Sequence, residues 1–343
     1  MATMREVAER AGVTKQTVSN VVTGRVPVRP ETAARVRSAI DELGYTPNLV
    51  ARSLATGTTM TVGLFVPTVA SPFYSQVVEE VENVLEQHGY HLLLCTTRLD
   101  GERARRQLAG LSSRSVDALL IAGDRDLIDH LPLLADARFP VVLCAWESEA
   151  PGDFPVVTID YEQAGYLAGR HLRELGHERV AVLASLPAHA PRLEGFRRAF
   201  ARDGLTVPDS AVFVPAEPTP AGGAAAARAA LAAGPGLTAI FATHDVLSYG
   251  ALEAAAEAGL SVPGDLSVVG HDDMQEGRQA RPTLTAVVFP KQEMARQATE
   301  LLLRSLAAQA SPANSRQLLR PTLVVRESTG PAPARDRRPG PTG

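Results

Sequence analysis

Apolar positions in the first 45 residues recur at helical spacing. Val7, Ala8 and Ala11 turn one face of a first helix inward, starting just after Thr3. Gly12 then breaks the run, since glycine readily takes the positive φ of a sharp turn. Thr14 follows as a hydroxyl cap for a second helix, with Val18, Val21 and Val22 facing inward. A third helix is predicted from Pro30 through Leu43. Pro30 suits the first helical position, Glu31 the positive end, and Val36, Ile40 and Leu43 the buried stripe. Gly44 closes it and Pro47 bars continuation. Two short helices joined by a glycine turn make a helix-turn-helix, whose second helix fits the DNA major groove.

From residue 61 the pattern changes to short apolar runs separated by helix-length segments. The runs are Val62–Val66, His91–Cys95, Ala118–Ala122, Val141–Leu143, Val156–Ile159, Val180–Ala184, Ala239–Ala242 and Leu266–Gly270. Helices are predicted over Tyr74–His88, Tyr161–Leu175, Gly222–Ala233 and Asp245–Ala258. Such alternation implies parallel sheets with helices on both faces. The stretch is too long for one comfortable core and suggests two similar halves. The expected division is a helix-turn-helix unit at 1–46, a hinge at 47–58 and a two-lobed body at 59–330. Lobe 1 takes about 59–160 and 287–320, lobe 2 about 161–286 and 321–330, and a disordered tail runs from 331 to 343.

Charge sharpens this division. The chain carries a formal −4, yet residues 1–58 hold eight Lys/Arg against five Asp/Glu, a local +3. A basic unit on an acidic body suits local attraction to phosphate. The two cysteines, Cys95 and Cys144, match no metal or redox spacing and read as buried thiols. No apolar run is long enough to span a membrane and the N-terminus is not a signal peptide, so a cytoplasmic protein is expected. No motif calls for a cofactor or a metal ion.

The outer face of the second helix carries the DNA-reading chemistry. Lysine suits guanine O6 and N7, as Lys15 could. Gln16 and Asn20 have the amides that pair bidentately with adenine. Thr3, Thr14, Thr17 and Ser19 offer small hydroxyls to phosphate oxygens. Any one of these could be an ordinary solvated residue; turn, cap and outer face in register argue against that for the set.

Together the motifs resemble the LacI/GalR family of bacterial transcription regulators from Thr3 to about Glu327. The signatures are Val7-Ala8-x-x-Ala11-Gly12-Val13, Thr17-Val18-Ser19, Pro47-Asn48-x-x-Ala51-Arg52-Ser53-Leu54, Arg192-x-x-Gly195-Phe196, Val269-Gly270-His271-Asp272-Asp273 and Pro282-x-Leu284-Thr285. The resemblance implies a small all-α reader joined to an α/β, two-lobed, periplasmic-binding-protein-like body. It also implies a homodimer on double-stranded operator DNA, with paired hinge helices in the minor groove, Arg52 on the DNA and Leu54 wedged between base pairs. A nine-residue hinge, Asn48–Thr56, is too short to be a stable helix alone and should order against its partner and DNA. A wedge kinks the duplex most cheaply at a pyrimidine–purine step. The alternative for Leu54 is a linker leucine packed on the body. The chain departs from many relatives at Asn20, Arg29, Ala145 and His244, and the last two put the usual sugar assignment in doubt.

In open α/β sheets, ligands bind beyond the carboxyl ends of strands. The effector candidates are Phe73, Tyr74, Trp146, Asp160, Arg192, His244, Asp245 and Asp272. The resemblance supports Phe73, Trp146, Arg192 and Asp272 most directly. Trp146 could instead be core, and Asp160 and Asp245 could be helix caps. No nucleophile elbow, zinc-protease helix or P-loop is present, so an enzyme is not expected. A solute-binding protein and a protein-binding adaptor are the other rivals. The expectation is a ligand-responsive repressor whose small-molecule effector, a sugar or derivative, binds between the lobes.

Overall fold

The computed structural model describes residues 2–24, 26–46, 53, 57–111, 115–123, 127–134, 137–149, 153–234, 236–308 and 315–333. Arg52 and Leu54, and with them most of the expected hinge, lie outside the described residues, as does 334–343.

Three helices form the N-terminal unit: α1 (Met4–Ala11), α2 (Lys15–Thr23) and α3 (Pro30–Leu43). A capping box starts α1, with the Thr3 hydroxyl accepting from the Glu6 amide and the Glu6 carboxylate from the Thr3 amide. Gly12, at φ 64°, makes the turn that L side chains resist. Thr14 caps α2 by accepting from the Thr17 amide at 3.1 Å. Arg29 precedes α3 without a side-chain cap bond. Val7, Val18 and Val36 are fully buried and meet in one core. The inner stripe of α3 differs from expectation, because Ala33, Val36 and Ala39 form it while Leu43 stays exposed. The Gly44 turn brings Tyr45 onto that end of the core.

The body contains two six-stranded sheets. The first uses β1 (Thr61–Val66), β2 (His91–Thr96), β3 (Ala118–Ala122), β4 (Val141–Cys144) and β5 (Val156–Ile159). Helices α4 (Pro72–Gln87) and α5 (Gly101–Gly110) connect its early strands. The chain then enters the second lobe through α6 (Tyr161–Glu174), β6 (Val180–Leu183), α7 (Ala190–Ala201), β7 (Val212–Phe213), α8 (Pro220–Ala233) and β8 (Ala239–Ala242). It continues with α9 (Asp245–Glu257), β9 (Ser267–His271), α10 (Gln275–Gln279) and β10 (Thr285–Val288). It returns with α11 (Lys291–Ala308) and β11 (Arg316–Leu319), then finishes in the second lobe with β12 (Thr322–Val324).

The strand orders are β11-β5-β4-β3-β1-β2 and β12-β10-β9-β8-β6-β7. Among the described residues every strand pairing is parallel except β10 with β12. The chain therefore crosses between lobes after Asp160, after β10 at Phe289-Pro290, and between β11 and β12. Strand β10 pairs in the second sheet, so Val287 and Val288 belong with that lobe, not with the first. Past the last strand the chain remains attached, since the Ala332 amide donates to the Leu175 carbonyl at 2.8 Å. Order thus extends beyond the boundary expected at 331.

Two glycines set how the second lobe presents its helices. A Cβ on Gly165 would stand 1.8 Å from the Arg192 carbonyl oxygen, and one on Gly195 would stand 1.8 Å from that of Glu162. Helices α6 and α7 therefore cross backbone against backbone. This crossing holds Arg192, three residues before Gly195, at one height along the lobe.

Candidate functional site

The carboxyl ends of strands from both lobes face a shared cleft of about 350 Å3. Pro67 follows β1, Glu147 follows β4, Ser185 follows β6, His244 follows β8 and Asp272 follows β9, and all line it. Phe73 and Tyr74 come from the first turn of α4 and lie edge to face, with ring centres 5.1 Å apart. Of the eight residues expected here, Phe73, Tyr74, Arg192, His244, Asp245 and Asp272 line the cleft.

Trp146 and Asp160 are not part of that lining. Trp146 is fully buried in the outer core of the first lobe, among Phe65, Leu119 and Leu143. The backbone turns at Ala145, with φ 50°, and sends Glu147 rather than Trp146 into the cleft. Asp160 caps α6 by accepting from the Gln163 amide at 2.8 Å. Asp245 is the first residue of α9, not its cap, and its carboxylate accepts from the Val246 amide at 2.8 Å.

Arg192 is the centre of the cleft's polar wall. Its Nε and Nη2 donate to the two Glu147 carboxylate oxygens at 3.1 and 2.8 Å, and Nη1 donates to the Thr243 carbonyl at 2.6 Å. The guanidinium packs against the rings of Tyr161, at 4.8 Å, and Phe289, at 5.2 Å, which themselves meet edge to face at 5.4 Å. Those two aromatics stand at the first two lobe crossings. Arg192 thus touches the opposite lobe and both crossings at once. Burial works against its charge, but Glu147, Tyr161 and Asp272 together outweigh burial and raise its pKa.

Asp272 sits at φ 68°, a conformation that non-glycine residues rarely hold without support. Its amide donates to the Val287 carbonyl, and Lys291 Nζ donates to its carbonyl oxygen at 2.5 Å. Its Oδ1 is buried with no hydrogen-bond partner among the described residues. Burial raises the carboxyl pKa, against the pull of Lys291. Next to it, Asp273 is held by Arg278 and Arg326 at 2.9 and 2.6 Å. The His244 ring pairs with Asp245 at 2.6 Å and stacks on His189 with centres 5.7 Å apart. Glu147, Tyr161, Ser185, His189 and Phe289 were not singled out from sequence. Glu147, Ser185 and Phe289 stand just after apolar strands, which is the one signal that could have found them.

On the N-terminal unit, Lys15 and Gln16 are exposed at the start of α2, with Thr17, Ser19 and Asn20 half-buried along the same helix. Thr3 and Thr14 are exposed but also serve as caps. A hydroxyl that caps a helix end can still meet a phosphate, since the cap uses its oxygen only as an acceptor and the O–H can turn to donate.

Residues 3–48 match the family described as bacterial regulatory proteins, lacI family, and residues 170–329 match the periplasmic binding protein-like domain. The HTH-type transcriptional repressor PurR of Pectobacterium atrosepticum is 35% identical over 343 residues, covering 98% of this chain and all of that protein. The chain belongs to the lacI family. PurR of Haemophilus influenzae is 34% identical, covering 96% of this chain and 98% of the relative. The lac repressor dimer bound to operator and the anti-inducer ONPF superposes with a TM-score of 0.84 at 28% identity, over 96% of this chain and 99% of that one. The transcriptional regulator CelR in complex with cellobiose has a TM-score of 0.71 at 32% identity, covering 96% of this chain and all of the other.

Proposed function

We propose that this lacI-family protein is a homodimeric transcriptional repressor whose operator affinity is set by a small molecule bound between its lobes. One observation carries the reading. A helix-turn-helix with an exposed polar face and a cleft built from strand ends of two lobes are joined in one chain. Lys15, Gln16 and Asn20 read base edges, and Thr3, Thr14, Thr17 and Ser19 fix register on phosphates. Arg52 and Leu54 act in the minor groove, Leu54 as the wedge.

Phe73, Tyr74, Arg192, His244, Asp245 and Asp272 hold the effector, a sugar or derivative. Binding favours one relative orientation of the lobes, which changes the spacing of the paired tethers and hence the fit to DNA. Coupling of about 1–3 kcal/mol is ordinary for such a device. The test is selection of bound fragments from the source genome by the purified protein, with and without cell extract. Enrichment of a palindrome with a central pyrimidine–purine step supports the reading, and no enrichment in either condition sinks it. Leu54→Ala should weaken specific binding with the fold intact; unchanged operator affinity would remove the wedge.

A further inference from the structure

The cleft holds its own carboxylate against its principal cation. The side-on fork of Arg192 is occupied by both oxygens of Glu147 and its Nη1 by the Thr243 carbonyl, and the neighbouring rings of Tyr161 and Phe289 pack against the guanidinium. Both partners are buried, at 7% and 9% exposure. An incoming carboxylate or phosphate therefore finds the side-on fork taken and Nη1 already engaged, and displacing Glu147 would leave a buried, unpaired charge. Around this pair stand Asp245 and Asp272, with Lys291 as the second buried cation. Among the described residues, three carboxylates and one guanidinium line the cleft, with Lys291 held on the Asp272 carbonyl and the His244 ring on Asp245.

The unsatisfied valences point the same way. Asp272 Oδ1 and Ser185 Oγ are buried, without a hydrogen-bond partner among the described residues, on residues that line the cleft. A carboxylate oxygen can only accept, so it calls for an O–H or N–H donor. An anionic ligand group brings acceptors alone.

We propose that Glu147 is a specificity residue which serves as a built-in counter-ion for Arg192, so that the cleft admits uncharged effectors rich in hydroxyl or N–H donors and excludes carboxylates and phosphate esters. This rests on the effector-cleft reading above and narrows its ligand class. Glu147 belongs to the first lobe and Arg192 to the second, so the same pair spans the cleft that the effector must enter.

The experiment is a calorimetric and thermal-melting titration of the full-length protein with gluconate and inorganic phosphate, against chloride at matched ionic strength. Wild type should show no saturable anion binding that depends on Arg192. Glu147→Gln should gain about tenfold or more in affinity for gluconate, the scale of removing one close like-charge contact. The gain should vanish in the Glu147→Gln/Arg192→Ala double variant, which separates the cleft from the basic N-terminal unit. Glu147→Ala opens a carboxylate-sized space beside the fork, so acetate should restore its melting temperature where chloride does not. Anion binding by wild type that is lost in Arg192→Ala would overturn the proposal. So would equal gluconate affinity in wild type and Glu147→Gln, or no acetate dependence in Glu147→Ala. A wild type that selects no DNA removes the regulator reading, whereas anion entry into wild type removes only the role of Glu147.

Discussion

The Gln16 side-chain amide donates to the Asn20 carboxamide oxygen 3.1 Å away, one turn along α2. The two residues expected to read adenine thus hold one another in place before any base arrives. Gln16 fixes which way the Asn20 amide faces, and the remaining Asn20 donors are left for a base edge or phosphate. Asn20→Ala should cost about 1–3 kcal/mol of specific operator binding, the worth of one good bidentate contact. Titration of operator and scrambled duplex at one salt concentration checks this; an equal loss on both duplexes would assign Asn20 to the backbone instead.

Asp117, at the start of β3, holds the first residues after the tether. Its Oδ1 accepts from the Thr59 amide and hydroxyl at 2.7 and 2.9 Å, and its Oδ2 from the Met60 amide at 2.8 Å. Hydrogen bonds to a charged acceptor are worth roughly 1.5–3 kcal/mol each at best. Asp117→Ala should release this junction, speed proteolytic separation of the N-terminal unit from the body, and weaken the effect of ligand on DNA binding. Unchanged cleavage rates would show that the junction is held by other contacts.

Much of the fold was legible because its strands are buried on both faces and so read as apolar runs. Strands β7, β10, β11 and β12 were not. Of these, β7, β11 and β12 sit at sheet edges and are partly exposed, which erases the apolar signature, whereas β10 is apolar and buried. Arg192 and Asp272 were legible as family motifs. Glu147 was not, because an acidic residue after a tryptophan has no periodicity, and only the left-handed turn at Ala145 decides which of the two enters the cleft.

Stability should fall as the medium is acidified from neutrality. Burial lowers the pKa of His171 and His177, and lowers that of His271 well below the ordinary value. The unfolded chain therefore takes up these protons first as pH drops through about 6.5, and each histidine removes up to roughly 1.4 kcal/mol per pH unit until its folded-state pKa is reached. His177 bonds the Thr238 hydroxyl and the Gly330 carbonyl, at 2.9 and 3.0 Å. Urea unfolding at pH 7.5 and pH 5.5 should show the drop, and His177→Gln should make it shallower. A slope unchanged by that substitution would take His177 out of the acid response.

Gly195→Ala should destabilise the second lobe by about 3 kcal/mol or more, because the added carbon meets a backbone oxygen that has no rotamer to yield. Chemical unfolding reads the loss directly. Near-wild-type stability would mean that α6 and α7 can separate without cost, and that the crossing does not set the position of Arg192.

Trp146 is the sole indole of the chain, fully buried, and adjacent in sequence to the carboxylate that bridges the lobes. Its carbonyl accepts from the Thr158 hydroxyl at 2.9 Å, which ties the same short segment to β5. All tryptophan emission from the protein accordingly originates at one point, in an apolar setting that shifts it to the blue and shields it from iodide. Any rearrangement of the Glu147–Arg192 pair displaces a charge beside that fluorophore. The molecule therefore carries a native optical reporter of its cleft, usable in unlabelled protein, in real time and with DNA present.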